Sequence, residues 1–151
     1  MIKETAHRNT AQRQLVYDVI QKSLDHPTAE TVYIRAREEA PHISLGTVYR
    51  NLNHLSENGA IRRLSTPIGP DHFDFNLESH YHFLCSVCGQ MSDIPSHCSP
   101  DEKSVMAPSE AGFDIKSYSL IYVGVCPECK NKHKKEKLET EQGKILSVQP
   151  L

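Results

Sequence analysis

Residues 80–89 of this 151-residue chain have the sequence His-Tyr-His-Phe-Leu-Cys-Ser-Val-Cys-Gly. The segment combines two kinds of metal ligand, the imidazoles of His80 and His82 and the thiols of Cys85 and Cys88. Thiolates suit a tetrahedral zinc ion, whereas imidazoles with nearby carboxylates suit divalent iron or manganese. The segment therefore predicts two chemically different metal sites, one that holds the fold together and one that can act as a switch.

A second Cys-x-x-Cys pair, Cys126 and Cys129, completes a set of four thiolates. Two turns that each carry thiols three positions apart can face one ion and form a tetrahedron around it. Four thiolates leave no open position, so we expect a structural zinc. A thioredoxin-like redox motif is not favoured, because neither pair lies between a strand and a helix of a βαβ pattern. The remaining cysteine, Cys98, is expected to be a thiol with no ligand role.

Composition and charge narrow the class of protein. No apolar run is long enough to span a bilayer, and the first residues lack the apolar core of a signal peptide. We therefore expect a cytoplasmic protein with no membrane partner, in which paired cysteines bind metal rather than form disulfides. The net charge of −2 argues against nonspecific coating of nucleic acid. Residues 1–70 carry nine Lys and Arg against seven Asp and Glu, so DNA binding is expected in that half.

The first sixty residues have the apolar spacing of three helices. The first helix is predicted around Leu15, Val16, Val19, Ile20 and Leu24. Thr28 and Ser44 can cap a second and a third helix, and Gly59 can end the third. Short strands are predicted from Ile61 to Ser65 and from His72 to Phe75, on either side of a turn. Three helices followed by a hairpin are the elements of a winged helix-turn-helix.

The character of the chain changes at residues 76–79, which we interpret as a hinge. After it we predict strands around Tyr81–Leu84 and Gln90–Ile94, a helix from Asp101 to Ala111, a strand from Phe113 to Val125 and a lysine-rich helix from Lys130 to Lys137. The predicted fold class is α+β. A winged-helix domain spans residues 1–75 and a second, α/β domain spans residues 80–151.

Imidazoles and carboxylates can meet next to the hinge. His80 and His82 share one face if their segment is a strand, because side chains alternate along a strand. Asp74 in the preceding strand and Asp93 in the following one can bring carboxylates to them. On composition alone, each histidine is equally well explained as a surface or hydrogen-bonded residue. Local sequence does not show whether His26 joins them from the helical half.

Five segments, taken together in their order and spacing, resemble the ferric uptake regulator (Fur) family. They are Arg8-Asn9-Thr10-Ala11-Gln12-Arg13, His26-Pro27-Thr28-Ala29, Thr47-Val48-Tyr49-Arg50-Asn51-Leu52, residues 80–89 and Cys126-Pro127-Glu128-Cys129. The resemblance implies a winged-helix DNA-binding domain, a hinge and a dimerisation domain stapled by one zinc per subunit. It also implies one regulatory Fe²⁺ or Mn²⁺ per subunit, bound where the domains meet by His26, Asp74, His80, His82 and Asp93.

The two carboxylate positions indicate a branch of the family. Both hold aspartate, Asp74 and Asp93, which is similar to the peroxide-sensing (PerR) branch, whereas iron-sensing members usually place glutamate there. Tyr81, between the two histidines, also fits that branch. A zinc-sensing member would be expected to use a cysteine in the sensing site, and none is suitably placed.

The leading hypothesis is a homodimeric, metal-dependent repressor that binds palindromic operator DNA and is not an enzyme. Predicted DNA contacts lie on the third helix and at one arginine before it; they are Thr47, Tyr49, Arg50, Asn51 and Arg13. Arg62 and Arg63, at the start of the wing, are expected to contact phosphates. The resemblance implies that peroxide is the signal and oxidises His26 or His80 by Fenton chemistry.

Two alternatives stay open at the level of sequence. One is an iron-responsive repressor of the same family that carries aspartate at these positions. The other is a non-haem metalloenzyme, because a His/Asp site with an open position supports hydrolysis or oxygen chemistry. Against the enzyme, the sequence has neither a nucleophile constellation nor a glycine-rich substrate loop, and the winged-helix half would have no role.

Overall fold

A computed structural model describes residues 2–98, 100–101, 103, 108, 111–114 and 118–135. The helices and strands are α1 Ile2–Gln21, α2 Ala29–Glu39, α3 Leu45–Glu57, β1 Arg62–Leu64, β2 His72–Asp74, β3 His82–Cys85, β4 Met91–Asp93 and β5 Ile121–Gly124. A short 3-10 turn at Ser96–Cys98 precedes β5, and residues 127–135 form a further helix. Within these ranges, no helix is long and apolar enough to cross a membrane.

The three predicted helices of the first half are confirmed, and local chemistry sets their ends. The side chain of Thr28 accepts a hydrogen bond from the backbone N–H of Thr31 at the start of α2. Ser44 accepts one from Thr47 N at the start of α3 in the same way. Gly59 has a φ of 69° just after α3, a conformation that costs glycine little.

The placement of Leu24 on the apolar face of α1 was wrong. That helix ends at Gln21, and Leu24 is 89% exposed. Two bonds close the helix early: Ser23 N donates to Ile20 O at 3.0 Å, and Ser23 Oγ donates to Val19 O at 2.6 Å. The chain then turns away from the core towards residue 26.

The predicted hairpin is confirmed as the antiparallel pair β1 and β2. Its register places Arg62 opposite Asp74 and Leu64 opposite His72. The hairpin is joined to the segment before α2, because Phe73 N donates to Pro27 O at 3.0 Å and Thr28 forms a β-bridge with His72. Helices and hairpin share one core, made of Val16, Val19, Ile20, Ala29, Val32, Ala36, Ile43, Val48, Leu52, Leu55, Ile61 and Phe73. This arrangement is a winged helix.

A three-stranded sheet forms the second half, in the order β4-β3-β5. Strand β3 is antiparallel to β4 and parallel to β5. For the strand predicted from Phe113 to Val125, the described part of that range has a strand from Ile121 to Gly124, where β3 offers four partner residues. The C-terminal helix is described for residues 127–135, three residues earlier than its predicted start. The predicted helix from Asp101 to Ala111 lies largely outside the described residues.

One apolar side chain of the wing belongs to the core of the second half. Leu64 is 4% exposed and packs with Leu84 and Met91, with Ile121 against the same cluster. Close by, the guanidinium of Arg62 donates to Leu77 O at 2.6 Å. The division into residues 1–75 and 80–151 stays a prediction, but the wing contacts the second sheet directly in this conformation.

Replacing Leu64 by alanine should destabilise the protein by about 2–5 kcal/mol, because the change removes buried methyl groups and leaves a cavity in the shared cluster. Leu24→Ala is the matched control; since Leu24 is exposed, its cost should stay within about 0.5 kcal/mol. Urea unfolding followed by circular dichroism measures both. Equal urea midpoints for the two variants would contradict the packing of Leu64 into the core of the second half.

Candidate metal centres

The four paired cysteines meet at one end of the second sheet. Parallel pairing places Cys85, the last residue of β3, beside Gly124, the last residue of β5, so both cysteine turns leave the sheet at the same edge. The four sulfur atoms all lie within 4.8 Å of one another, and Cys88 Sγ is 3.9 Å from Cys126 Sγ. Sulfurs bound tetrahedrally at 2.3 Å from zinc are roughly 3.8 Å apart. The cluster therefore matches a structural zinc site.

Backbone N–H groups favour the thiolate form in this cluster. Cys126 N donates to Cys85 Sγ at 3.4 Å, and Cys129 N donates to Cys126 Sγ at 3.4 Å. The bond from Cys126 is the main reason why the pKa of Cys85 falls to about 6. The neighbouring Cys126 sulfur, which accepts from the Cys129 thiol, raises the pKa of Cys129 to about 12. A bound Zn²⁺ would offset the charge that keeps the Cys129 thiol protonated and so favour its thiolate.

All five histidine and aspartate residues predicted around the hinge lie close together. His82 and Asp93 are direct partners in the β3–β4 register, so both side chains lie on one face of the sheet. His80 Nε2 lies 3.0 Å from Asp74 Oδ2 and 3.2 Å from Asp93 Oδ1. His26 Nε2 approaches from the other half of the chain, 2.9 Å from Asp93 Oδ1 and 3.9 Å from Asp74 Oδ2.

Several ligand atoms of this cluster are buried without a hydrogen-bond partner. They are Asp74 Oδ2, His80 Nε2 and His82 Nε2. The two nitrogens lie 3.0 and 3.5 Å from that oxygen, so all three atoms can face one ion. An unsatisfied buried polar atom costs about 1–3 kcal/mol, and a divalent cation between them would remove that cost. Three imidazoles and two carboxylates are a donor set that fits Fe²⁺ or Mn²⁺.

The backbone of residues 76–79 orients two of these ligands. His80 Nδ1 donates to Glu78 O at 2.8 Å, and a carbonyl oxygen can only accept, so the lone pair of the ring lies on Nε2, inside the cluster. Asn76 N donates to Asp74 Oδ1 at 2.8 Å, which leaves Oδ2 for the cluster. The predicted hinge is therefore also the support of the site.

Burial and neighbouring charges set the protonation that a metal requires. Burial lowers the pKa of His26, and this outweighs the opposing effect of Asp93, so the neutral imidazole is favoured at pH 7. Burial alone would raise the pKa of Asp74, but His82, the Asn76 N–H and the other imidazoles outweigh it and the pKa is lowered. Neutral imidazoles and ionised carboxylates are the forms that coordinate a dication.

His72, which the sequence placed only at the start of a wing strand, contacts the backbone of the cluster residue His26. Its Nδ1 donates to the backbone carbonyl of His26 at 2.6 Å, and the contact is buried. Strand alternation could have indicated its position, since His72 and Asp74 are two residues apart in β2 and therefore share one face. Nothing in the sequence alone pairs His72 with residue 26, because that contact spans the whole helical core.

The predicted DNA contacts on α3 divide into exposed and buried residues. Tyr49 and Arg50 are exposed; Tyr49 Oη donates to Glu30 Oε1 at 2.7 Å, and Arg50 Nη2 donates to Thr47 Oγ1 at 3.0 Å. Asn51 differs from expectation. It is 7% exposed, and its amide donates to Thr47 O at 2.9 Å, because it lies on the inner face of the helix. The exposed face of α3 therefore excludes Asn51.

Of the three arginines outside α3 that were predicted to contact DNA, the two in the wing have partners within the protein. Arg13 of α1 is half-buried, and its Nε has no hydrogen-bond partner. Arg63 forms an ion pair with Asp71 across the wing turn. Arg62 donates to the hinge carbonyl at residue 77 rather than standing free towards solvent. Phosphate contacts by the wing would require Arg62 or Arg63 to exchange these partners.

Comparison with known proteins supports the resemblance. The model of the Ferric uptake regulator family matches residues 4–123. The Peroxide operon regulator of Bacillus subtilis (strain 168) is 34% identical over 131 residues, which are 87% of this chain and 90% of that protein. The Peroxide-responsive repressor PerR of Staphylococcus epidermidis is 33% identical over 129 residues, 85% of each chain.

Solved structures agree with these relatives. The Campylobacter jejuni peroxide stress regulator superposes with a TM-score of 0.69 at 28% identity, over 85% of this chain and 96% of that one. The Helicobacter pylori ferric uptake regulator superposes with a TM-score of 0.67 at 22% identity, over 85% and 89% of the two chains, and shares the fold. The predicted resemblance and fold class are confirmed.

Cys126→Ser should release the structural zinc and lower the melting temperature by more than about 10 °C, since binding of structural zinc contributes many kcal/mol to folding. Cys98→Ser is the control, because the Cys98 thiol is exposed and outside the cluster; that variant should keep one zinc per chain and the wild-type melting temperature. Elemental analysis of the purified proteins and differential scanning calorimetry measure the two effects. Zinc retained by Cys126→Ser would contradict the assignment.

Proposed function

The chain belongs to the ferric uptake regulator family, and on that basis we propose that it is a metal-dependent repressor of transcription that senses peroxide. The observation that carries the proposal is the cluster of His26, Asp74, His80, His82 and Asp93, in which Asp74 Oδ2, His80 Nε2 and His82 Nε2 are buried without a hydrogen-bond partner. Two relatives that are 33–34% identical are named as peroxide regulators, which supports peroxide as the signal. As a repressor of transcription, the protein is proposed to act in the cytoplasm, where bacterial DNA lies.

The proposed switch joins two halves of the chain. Residues 1–75 bind DNA, residues 76–79 form the hinge and residues 80–151 form the dimerisation domain. His26 and Asp74 belong to the first half, and His80, His82 and Asp93 to the second. Neutral imidazoles and carboxylates from both halves hold one cation, and its coordination free energy favours the arrangement that fits DNA. Without the cation, the like charges of the Asp74 and Asp93 carboxylates oppose closure of the two halves.

Peroxide sensing is proposed to act through the ligand histidines. When bound, Fe²⁺ supplies one-electron chemistry with peroxide, and Mn²⁺ does not. Asp93 is 54% exposed and marks the open side of the cluster. His26 Nε2 and His80 Nε2 are the imidazole nitrogens nearest its carboxylate, at 2.9 and 3.2 Å, so these two are the proposed targets. A histidine that has gained one oxygen is a poorer ligand, so the two halves separate.

DNA recognition is proposed to use the exposed face of α3 in the major groove. Thr47, Tyr49 and Arg50 lie on that face and can reach base edges or phosphates, and Arg13 is proposed to contact the DNA backbone. A homodimer would present two such helices to a palindromic operator. Exposed apolar side chains on β5, Tyr122 and Val123, support a dimer formed through the second sheet, because β5 is an edge strand among the described residues.

The iron-responsive repressor differs from this proposal only in its signal. It would share the fold, the cluster and the metal-dependent DNA binding, and the oxidation experiment below separates the two. Within the described part of the chain, no observation favours the metalloenzyme, and we propose that the protein is not an enzyme.

Metal should control specific DNA binding. Duplexes selected from a random library by the Mn²⁺-loaded protein should bind with a Kd at least about tenfold lower with Mn²⁺ than after its removal, within the range of allosteric coupling. Arg50→Ala should raise the Kd of the loaded protein about 5- to 150-fold, as expected for loss of a base or phosphate contact. Arg37→Ala, an exposed arginine of α2, is the control and should change it less than threefold. Fluorescence anisotropy at fixed salt gives all three values, and metal-independent binding would contradict the switch.

Peroxide should modify the site only when iron is bound. After treatment of the Fe²⁺ form, we expect a gain of about 16 Da, one oxygen atom, on a peptide that contains His26 or His80. The Mn²⁺ form should show no gain, and neither should the peptide with His54, an exposed histidine outside the cluster. Peptide mass spectrometry measures each site. Loss of DNA binding with unmodified histidines would rule out this chemistry, and a protein that keeps both its DNA binding and its histidines would be the iron-responsive repressor.

A further inference from the structure

His26 has an unusual backbone conformation. Its φ is 46°, and among the described residues it is the one position other than glycine with a positive φ. The left-handed region is unfavourable for a residue with a Cβ, so such a conformation persists where the surroundings hold it. Here the strained residue is also the one cluster ligand that comes from the loop between α1 and α2. Its conformation decides where the imidazole points.

The group that holds this conformation is the side chain of His72. Its Nδ1 lies 2.6 Å from His26 O, and both residues are about 95% buried. A carbonyl oxygen only accepts, so Nδ1 of His72 carries the proton and donates. A hydrogen bond in such a buried place is not replaced by water when it is lost. Two further contacts hold the segment after His26 against β2: Phe73 N donates to Pro27 O, and Thr28 forms a β-bridge with His72.

His72 also stands next to the second ligand of the same half. It shares one face of β2 with Asp74. A single strand therefore carries both the imidazole that hydrogen-bonds to the His26 backbone and a carboxylate of the cluster. The result is a fixed pair, with His26 Nε2 3.9 Å from Asp74 Oδ2. On the other side of the loop, Arg35 makes two bonds to the carboxylate of Asp25, at 2.8 and 2.6 Å. That ion pair is exposed, and exposed pairs contribute little.

We propose that His72 is a positioning residue of the sensing site. Its buried hydrogen bond to the carbonyl of His26 assembles His26 and Asp74 into a finished half-site before metal arrives. Metal then has to join two rigid halves rather than order a loop, and binding is tighter because less conformational entropy is lost. The inference rests on the proposed function, since it assigns His72 a role in metal binding by the same cluster.

Two nearly isosteric substitutions test the hydrogen bond itself. The amide nitrogen of an asparagine overlays the Nδ1 position of histidine, so His72→Asn keeps a donor for His26 O. His72→Leu has the same branched shape and no donor. The measurement is the Kd for Mn²⁺ of zinc-loaded protein without DNA, from the electron paramagnetic resonance signal of free Mn²⁺. His42→Leu, at an exposed histidine outside the cluster, is the control.

We expect His72→Leu to weaken Mn²⁺ binding by about 10- to 100-fold, the range found when partners of metal ligands are lost. His72→Asn and His42→Leu should stay within about threefold of the wild type. Wild-type affinity in His72→Leu would overturn the inference. Equal weakening in His72→Asn and His72→Leu would also overturn it, because the imidazole would then act by its bulk.

Stability is measured on the same samples by thermal unfolding without Mn²⁺. If His72→Leu does not fold, His72→Met takes its place, because methionine also has no donor and its flexible side chain fills irregular space, and the same two criteria apply. A wild-type protein that binds no Mn²⁺ would overturn the proposed function, and this inference with it. The two failures are thus distinguishable, since wild-type Mn²⁺ binding is lost if the proposed function is wrong and stays intact if only the role of His72 is wrong.

Discussion

Pairing of the short strand β3 with β4 and β5 is the constraint on which both metal centres depend. The parallel pair with β5 brings the two cysteine turns to one edge, and the antiparallel pair with β4 sets His82 opposite Asp93. The zinc cluster at one end of β3 and the histidines at the other are therefore parts of one rigid strand. A zinc ion that fixes this sheet also fixes the second half-site, and the winged helix is the part left to move.

The other half-site is rigid for a different reason. His26 is held through its carbonyl by His72, and Asp74 is held through one oxygen by the N–H of Asn76. The backbone of the hinge, residues 76–79, hydrogen-bonds to Asp74 on one side and to His80 on the other. A change in the backbone conformation of the hinge therefore changes the orientation of both ligands. Leu64 adds an apolar contact between wing and sheet that needs no metal. In the proposed switch, metal binding acts on two surfaces that already contact each other, which lowers the coordination free energy needed to select the closed arrangement.

Sequence predicted those features that depend on neighbours along the chain. The caps at Thr28 and Ser44, the wing hairpin and the two cysteine pairs each follow from spacing within a few residues, and the structure agrees with them. Features that depend on distant contacts were not predictable in that way. Helical spacing alone placed Leu24 in the core, although a local turn ends the helix first. The approach of His26 to the cluster was available only through the family resemblance, and its clamp by His72 was not available at all.

The two cluster aspartates occupy different environments, and this difference bears on the kind of signal. Asp74 is buried and shares its oxygens between a backbone N–H and the cluster, whereas Asp93 lies at the end of an edge strand and is largely exposed. Asp93 marks an exposed side of the cluster, from which a small oxidant can approach. A glutamate there would extend one carbon further over the opening, and an aspartate leaves it clear. His26 and His80 lie nearer to the Asp93 carboxylate than His82 does, so the proposed oxidation from this side would reach the imidazole that comes from the first half of the chain. In the proposed mechanism, oxidation of His26 removes the one imidazole that the first half of the chain contributes, and with it the metal's contribution to holding the halves together.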